Sequence, residues 1–193
     1  MKGLMWNCRG IKKKGVSSFL KNLISEHNFH FIGIQETMVE NIDDITLKGF
    51  DPNSNYLWKW IPSRGKSGGL LSGINTKFLD VGGFCEGKYI LQLDVWDKHL
   101  KQKWNFLNVY GAAQLEHKNE FLTELARFCC KNNQPHLIGG DLTLSGSPLT
   151  RINLQEYTNI LISLTTSFPH MNCWTCIWLV VNIPGQITRR TLP

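Results

Sequence analysis

Short apolar runs, each closed by a polar or glycine-rich stretch, alternate along the chain with two stretches of helical periodicity. Gly3 to Cys8 (GLMWNC) runs into Arg9-Gly10, the pattern of a buried strand opening into a turn. From Ser17 to Glu26 the apolar positions Phe19, Leu20, Leu23 and Ile24 form one stripe, which predicts an amphipathic helix with Ser17 or Ser18 as cap. A second buried strand, FHFIGIQET, ends at Glu36. SGGLLSGIN, YILQLDVWD and KWNFLNVYG predict three more, the middle one alternating imperfectly. Glu116 to Lys131 is predicted helical, with Phe121, Leu122, Leu125 and Phe128 on one face, and PHLIGGD is the strand after it. Strands and helices in alternation, without repeats or long linkers, predict a mixed α/β domain. Ile160 to Leu164 fits helix and strand equally.

Length changes this picture little: 193 residues are one domain, able to bury roughly 70% of the surface its unfolded chain exposes. Hydrophobic content of 42% and charged content of 19% exclude a disordered chain. The formal net charge of +6 suits a polyanionic partner such as nucleic acid, and equally a merely solvated basic surface. Six scattered cysteines, Cys8, Cys85, Cys129, Cys130, Cys173 and Cys176, together with no visible secretory signal, predict an intracellular protein with reduced thiols. The apolar stretch from Ile177 to Ile183 is far short of the ~20 residues of a membrane helix, so no membrane association is expected. No feature points to a protein partner.

The candidate chemistry lies where the strands end. Asn7, Glu36, Tyr110 and Asp141 each fall at or just past the C-terminal end of a predicted buried strand, where ends from one sheet converge on a rim. An unpaired buried carboxylate costs several kcal/mol, so Glu36 and Asp141 call for a cation, a metal or water. Singly, each residue equally suits a turn or helix cap. Together, carboxylate and amide oxygens without paired histidines suit Mg²⁺ or Mn²⁺ better than zinc. Cys173 and Cys176 form a lone CWTC with no second pair, a weak zinc or redox signal. Trp58, Trp60, Trp96 and Trp104 offer surfaces for stacking on bases, although aromatic residues in strands are more often core.

The ordered segments MWNCRGI, IGIQET, SGGLLSG, NVYGA and LIGGD resemble the endonuclease/exonuclease/phosphatase superfamily, and within it the endonuclease domain of LINE-type (non-LTR) retrotransposons of plants. The resemblance covers Met1 to Asp141. It implies a DNase I-like fold, two β-sheets packed as a sandwich with flanking helices, and Mg²⁺- or Mn²⁺-dependent hydrolysis of DNA phosphodiesters. Carried over, Glu36 binds the metal, Asn7 helps arrange the metal and its water, Tyr110 contacts the scissile phosphate, and Asp141 orients or deprotonates the attacking water. A metal offsets charge building on the phosphate oxygens, and a nearby carboxylate takes the proton. Arg9, Lys12, Lys13 and Lys14 after Asn7, with Arg64 and Lys66 before Ser67, are candidates for tracking a nucleic-acid backbone; a solvated basic loop is the plainer alternative.

After Asp141 the resemblance stops. The family pattern continues Phe-Asn, and later carries a Thr-Trp-Ser-Asn strand and a Ser-Asp-His; here Leu142 and Thr143 follow, and His170 has no aspartate before it. Thr143 cannot reproduce an amide's paired donor and acceptor. Codons GAT TTT AAC CTT ATC encode Asp-Phe-Asn-Leu-Ile, and loss of one T yields Asp-Leu-Thr-Leu-Ser, as found from Asp141 to Ser145. Read one nucleotide earlier, Met171 to Thr175 gives Glu-Leu-Leu-Asp, and codon degeneracy then permits Ala-Gly-Gly-Gln-Tyr-Thr-Trp-Ser-Asn from Leu179 onward. Residues 1–141 are therefore expected to be an incomplete nuclease-like domain, and residues 142–193 an atypical, out-of-frame tail that leaves the C-terminal strands missing. Marginal stability and impaired or lost activity follow as expectations. The alternatives are a non-catalytic remnant that binds nucleic acid weakly, and another superfamily activity such as a phosphatase.

Overall fold

The computed structural model describes residues 1–65, 68–112, 114–131 and 134–141, and the backbone of 175–177. All six strands expected from the apolar runs are present, and three more join them in two sheets. The first sheet has the order β1-β2-β4-β3, built from β1 (Gly3–Asn7), β2 (Phe31–Gln35), β3 (Tyr56–Ile61) and β4 (Leu70–Asn75); β1 runs parallel to β2 and the other pairs are antiparallel. The second follows chain order: β5 (Leu79–Glu86), β6 (Ile90–Asp97), β7 (Gln102–Tyr110), β8 (His136–Asp141) and β9 (Thr175–Ile177), with β8 parallel to both β7 and β9.

The sheets are apolar on both faces because each is covered twice, which is why the strands read as continuous apolar runs. Between them lie Met5, Phe31, Leu70, Leu93, Trp104, Phe106 and Leu137. Ile32, Ile34, Trp58 and Leu71, on the other face of the first sheet, share a core with Leu20 of α1 (Val16–His27) and Phe50 of α2 (Asp44–Phe50). Ile90, Leu107, Val109 and Ile138 of the second sheet share one with Phe121, Leu125 and Phe128 of α3 (Lys118–Cys130). Met5 explains two glycines: a Cβ at Gly33 would lie 2.4 Å from its Cε, and one at Gly139 would lie 3.0 Å from it. With Met5 in this position, the residues facing it from β2 and β8 are glycines.

Three elements escape the sequence patterns. The helix α2 is only seven residues long, started by Asp43, whose Oδ1 accepts from the Thr46 backbone N–H at 2.8 Å. The strand β5, an edge strand rich in glycine and bulged between Val81 and Gly83, alternates half-buried and exposed residues after buried Leu79. In β3 the aromatic positions are structural: Trp58 is buried, and Trp60 packs partly against the same core. Trp104 is also buried, so neither it nor Trp58 is available for stacking on bases. The expected caps of α1 are corrected too. Its N-cap is Gly15, at φ 87° with no side-chain bond, and Ser17 and Ser18 lie inside the helix. The helix expected from Glu116 begins as a 3₁₀ turn over Leu115–His117 and becomes α-helical at Lys118.

Of the tail, Thr175–Ile177 pair in parallel with His136–Ile138, so the second sheet gains a fifth strand that the expectation of missing strands did not include. Cys176 lies in that strand; Cys173, His170, Thr143 and Ile160 to Leu164 lie outside the described residues, as does Lys66. Among the described residues β2 is the only strand bonded to β1.

One buried carboxylate ties the first sheet to the helix before it. Asp51, 3% exposed, accepts from the backbone N–H groups of Asn55 and Tyr56, each at 3.0 Å, and from Trp58 Nε1 at 3.1 Å. Asp51→Ala leaves these donors without a partner, so equilibrium unfolding should show a loss of about 3 kcal/mol.

Candidate functional site

Four strands deliver the site. β1 ends in Asn7, β2 is followed by Glu36, β7 ends in Tyr110 and β8 ends in Asp141, so the first sheet supplies two residues and the second supplies two. All four are half-buried and share one hydrogen-bond network. Asn7 Nδ2 donates to Glu36 Oε1 at 2.7 Å and to Asp141 Oδ2 at 2.9 Å; Tyr110 Oη donates to Glu36 Oε1 at 3.1 Å. The Asn7 amide has one consistent orientation: its Oδ1 accepts from the Arg9 backbone N–H at 3.3 Å. Flipping it would turn the oxygen toward two carboxylates and the NH₂ group toward another donor.

Thus the Asn7 nitrogen, not its oxygen, faces the carboxylates. In this geometry Asn7 is a clamp between Glu36 and Asp141. Tyr110 stays a donor, because burial, then the charge of Glu36 and the bond to it, hold its phenol well above the ordinary range.

The backbone beneath Glu36 is strained and braced. Glu36 adopts φ 52°, Met38 φ 55° and Arg9 φ 49°. Left-handed backbone costs a residue with a side chain about 1–2 kcal/mol, which persists only where the surroundings enforce it. They do so here. Gly10 N–H and Cys8 Sγ donate to the Glu36 carbonyl at 2.7 and 3.5 Å, and Ile11 N–H donates to Thr37 O at 2.9 Å. On the other side the N–H groups of Thr37 and Met38 donate to Gly69 O and Gly68 O at 3.2 and 3.1 Å. A Cβ at Gly69 would lie 2.2 Å from Thr37 Oγ1, so that close approach requires glycine. Buried beside this turn, the Cys8 thiol is pushed up to about 11, so it is inert at neutral pH.

Asp141 reaches the rim through a second glycine. Gly140 sits at φ 140°, and a Cβ there would lie 1.9 Å from Val109 O. The chain then closes with Gly111 N–H donating to Asp141 O at 2.7 Å.

Among the described residues the basic candidates are exposed and lie in connections at the strand ends. Arg9, Lys12, Lys13 and Lys14 occupy the turn between β1 and α1, and Arg64 lies in the β3–β4 connection. That connection is held near Glu36 by Ser63 N–H to Val39 O at 2.9 Å and by the Gly68 and Gly69 contacts. Two residues behind the rim were not recognisable as part of it. Gln35 and Asn108, 1% and 0% exposed, bond to each other across the sheets at 2.6 Å. Their only sequence signal is a polar residue within an apolar strand, in FIGIQ and FLNVY.

No family model matches the sequence, and no curated protein matches it. Solved structures do match in fold. The human Nocturnin catalytic domain with a bound sulfate anion is similar at TM-score 0.58 and 10% identity, over 87% of this chain and 69% of that one. The Xenopus laevis APE2 catalytic domain is similar at TM-score 0.55 and 18% identity, over 87% of this chain and 67% of that one. An endonuclease/exonuclease/phosphatase family protein from Bacteroides thetaiotaomicron is similar at TM-score 0.52 and 12% identity, over 72% and 60%. Identities this low establish a shared fold: the chain has the two-sheet, DNase I-like α/β sandwich of these structures.

Proposed function

We propose that the rim of Asn7, Glu36, Tyr110 and Asp141 is a hard-cation and phosphodiester site of nuclease type, with DNA as its substrate class. The observation that carries this reading is the pair of carboxylates, one from each sheet, held together through a single amide nitrogen. The donor set fits Mg²⁺ or Mn²⁺. It offers oxygen ligands, and among the described residues no group of three or more His, Cys, Asp or Glu forms a cage, so the ion would keep waters and take substrate oxygens, as Mg²⁺ does. Glu36 would hold it, and its charge would offset the negative charge that builds on the phosphate. Asn7 holds both carboxylates through Nδ2, Glu36 as the one that would face the metal and Asp141 as the one that would take a proton from water. Tyr110, kept protonated, would turn its hydroxyl hydrogen from Glu36 to a phosphate oxygen once a metal takes the Glu36 carboxylate.

The basic residues at the strand ends suit backbone phosphates. Binding to DNA is then expected to weaken steeply with salt, and less steeply once Lys12, Lys13 and Lys14 are replaced by alanine. The sulfate anion in the similar Nocturnin structure is in keeping with a tetrahedral oxyanion as ligand on this fold. An intracellular setting is in keeping with the scattered cysteines of the sequence. No helix among the described residues is long and apolar enough to cross a membrane.

LINE-type retroelement ancestry is the finer form of this reading, supported by the five ordered segments and their break after Asp141. Cleavage is impaired, because the family's Asn and Ser-Asp-His find no counterpart after Asp141. The test is plasmid nicking with and without Mg²⁺. Slow nicking that needs metal supports a weakened nuclease; salt-sensitive DNA binding without nicking supports the remnant; neither nicking nor binding rejects both. The nucleotides around codon 141 decide the frame.

Asn7→Asp would set a third carboxylate against the other two. Their partial exposure limits the cost without metal to about 1–2 kcal/mol. Thermal unfolding should show this loss, and millimolar Mg²⁺ should reverse it.

A further inference from the structure

The cation site sits on a polar tie buried between the sheets. Asn108 accepts from Gln35 Nε2 through its Oδ1 at 2.6 Å. Its own Nδ2 approaches Ile34 O at 3.3 Å, Leu71 O at 3.1 Å and Ser72 Oγ at 3.1 Å, so one side chain of β7 holds both β2 and β4. Gln35, Asn108 and Ser72 are all 1% exposed or less. The Gln35–Asn108 bond itself brings little net stability, since replacing both of its partners with apolar groups of similar shape is often nearly neutral. What it supplies is direction. Apolar contact between two sheets has no preferred register, whereas hydrogen bonds of this length allow little sliding or rotation.

The positions of the tie give that direction a use. Gln35 immediately precedes Glu36, and Asn108 lies two residues before Tyr110 on the same face of β7. Glu36 comes from one sheet and its partners Tyr110 and, through Asn7, Asp141 from the other, so the distances at the rim depend on how the two sheets are set. We propose that Gln35 and Asn108 are positioning residues for the rim, fixing β2 against β7 so that Glu36 stands ready to hold a divalent cation with Asp141 beside it. This rests on the reading of the rim as a cation site.

The test is Mn²⁺ binding measured by electron paramagnetic resonance on the parent chain and on Gln35→Met/Asn108→Leu, with folding checked by circular dichroism. The double variant should fold and bind Mn²⁺ about tenfold more weakly, the scale seen when outer partners of metal ligands are lost. Gln35→Met alone, which leaves Asn108 its contacts with the first sheet, is the milder variant and should weaken binding by a smaller, still measurable, factor even if the double variant does not fold. Tyr56→Phe is the control for stability: it removes a buried bond to Phe29 O, 2.8 Å long and remote from the rim, and should leave Mn²⁺ affinity unchanged. Folded variants that bind Mn²⁺ as the parent does, or a Tyr56→Phe variant that loses affinity equally, overturn the positioning role alone. A parent that binds no Mn²⁺ overturns the cation site and the positioning role with it.

Discussion

Glu36→Gln should fold as well as the parent and bind Mn²⁺ about a hundredfold more weakly, a change of about 2.7 kcal/mol. The substitution preserves shape and keeps an oxygen able to accept from Asn7 and Tyr110. It removes a full charge beside the place a dication would occupy. It also removes the repulsion between two carboxylates that one amide holds together, so the metal-free melting temperature should hold or rise. Affinity falling while stability does not is the signature of a site whose charges serve a ligand. Any metal-dependent nicking should drop to background in the same variant. If Mn²⁺ affinity is unaffected, Glu36 is a strand-end carboxylate satisfied by its neighbours and nothing more.

Gly140→Ala should carry the largest cost to the fold. The new methyl would meet Val109 O at 1.9 Å, and both groups belong to backbone paired in the β7–β8 ladder, so no side-chain rotation relieves the clash. The φ of 140° adds conformational strain. A loss of about 3–4 kcal/mol is expected, lowering the melting temperature by roughly 6–16 °C for a chain of this size. Gly65→Ala separates the two causes: its φ of 66° is also left-handed, but the added methyl meets nothing within 4 Å. About 1 kcal/mol is expected there. Equal losses for the two variants would mean that the β8 exit can shift, and that Asp141 is not held where the other three residues need it.

These glycines show what the sequence could and could not convey. In PHLIGGD the acid after two glycines was visible as a strand end, but the separate reasons for them, Met5 against Gly139 and Val109 O against Gly140, arise only once β1 and β7 lie beside β8. The strands β1, β2, β4, β6, β7 and β8 were legible because their sheets are covered on both faces, which makes each an apolar run. β5 was not, because an edge strand with two glycines and a bulge has no such run. Periodicity also left open which strands share a sheet; the division into two came from the resemblance to a family. At the rim, Asn7, Glu36, Tyr110 and Asp141 stood out as polar residues where apolar runs stop. Gln35 and Asn108 lie one and two residues earlier, inside the runs, where a polar residue is indistinguishable from an imperfect strand until the facing sheet is present.

Anomalous diffraction from a crystal of the parent chain soaked in Mn²⁺ addresses the rim itself. A peak is predicted within bonding distance of the Glu36 carboxylate, on the side shared with Asp141, with Asn7 Nδ2 still directed at the carboxylates. A fully soaked crystal with no peak at Glu36, or with manganese bound only elsewhere, would contradict the cation site and the nuclease-type function built on it.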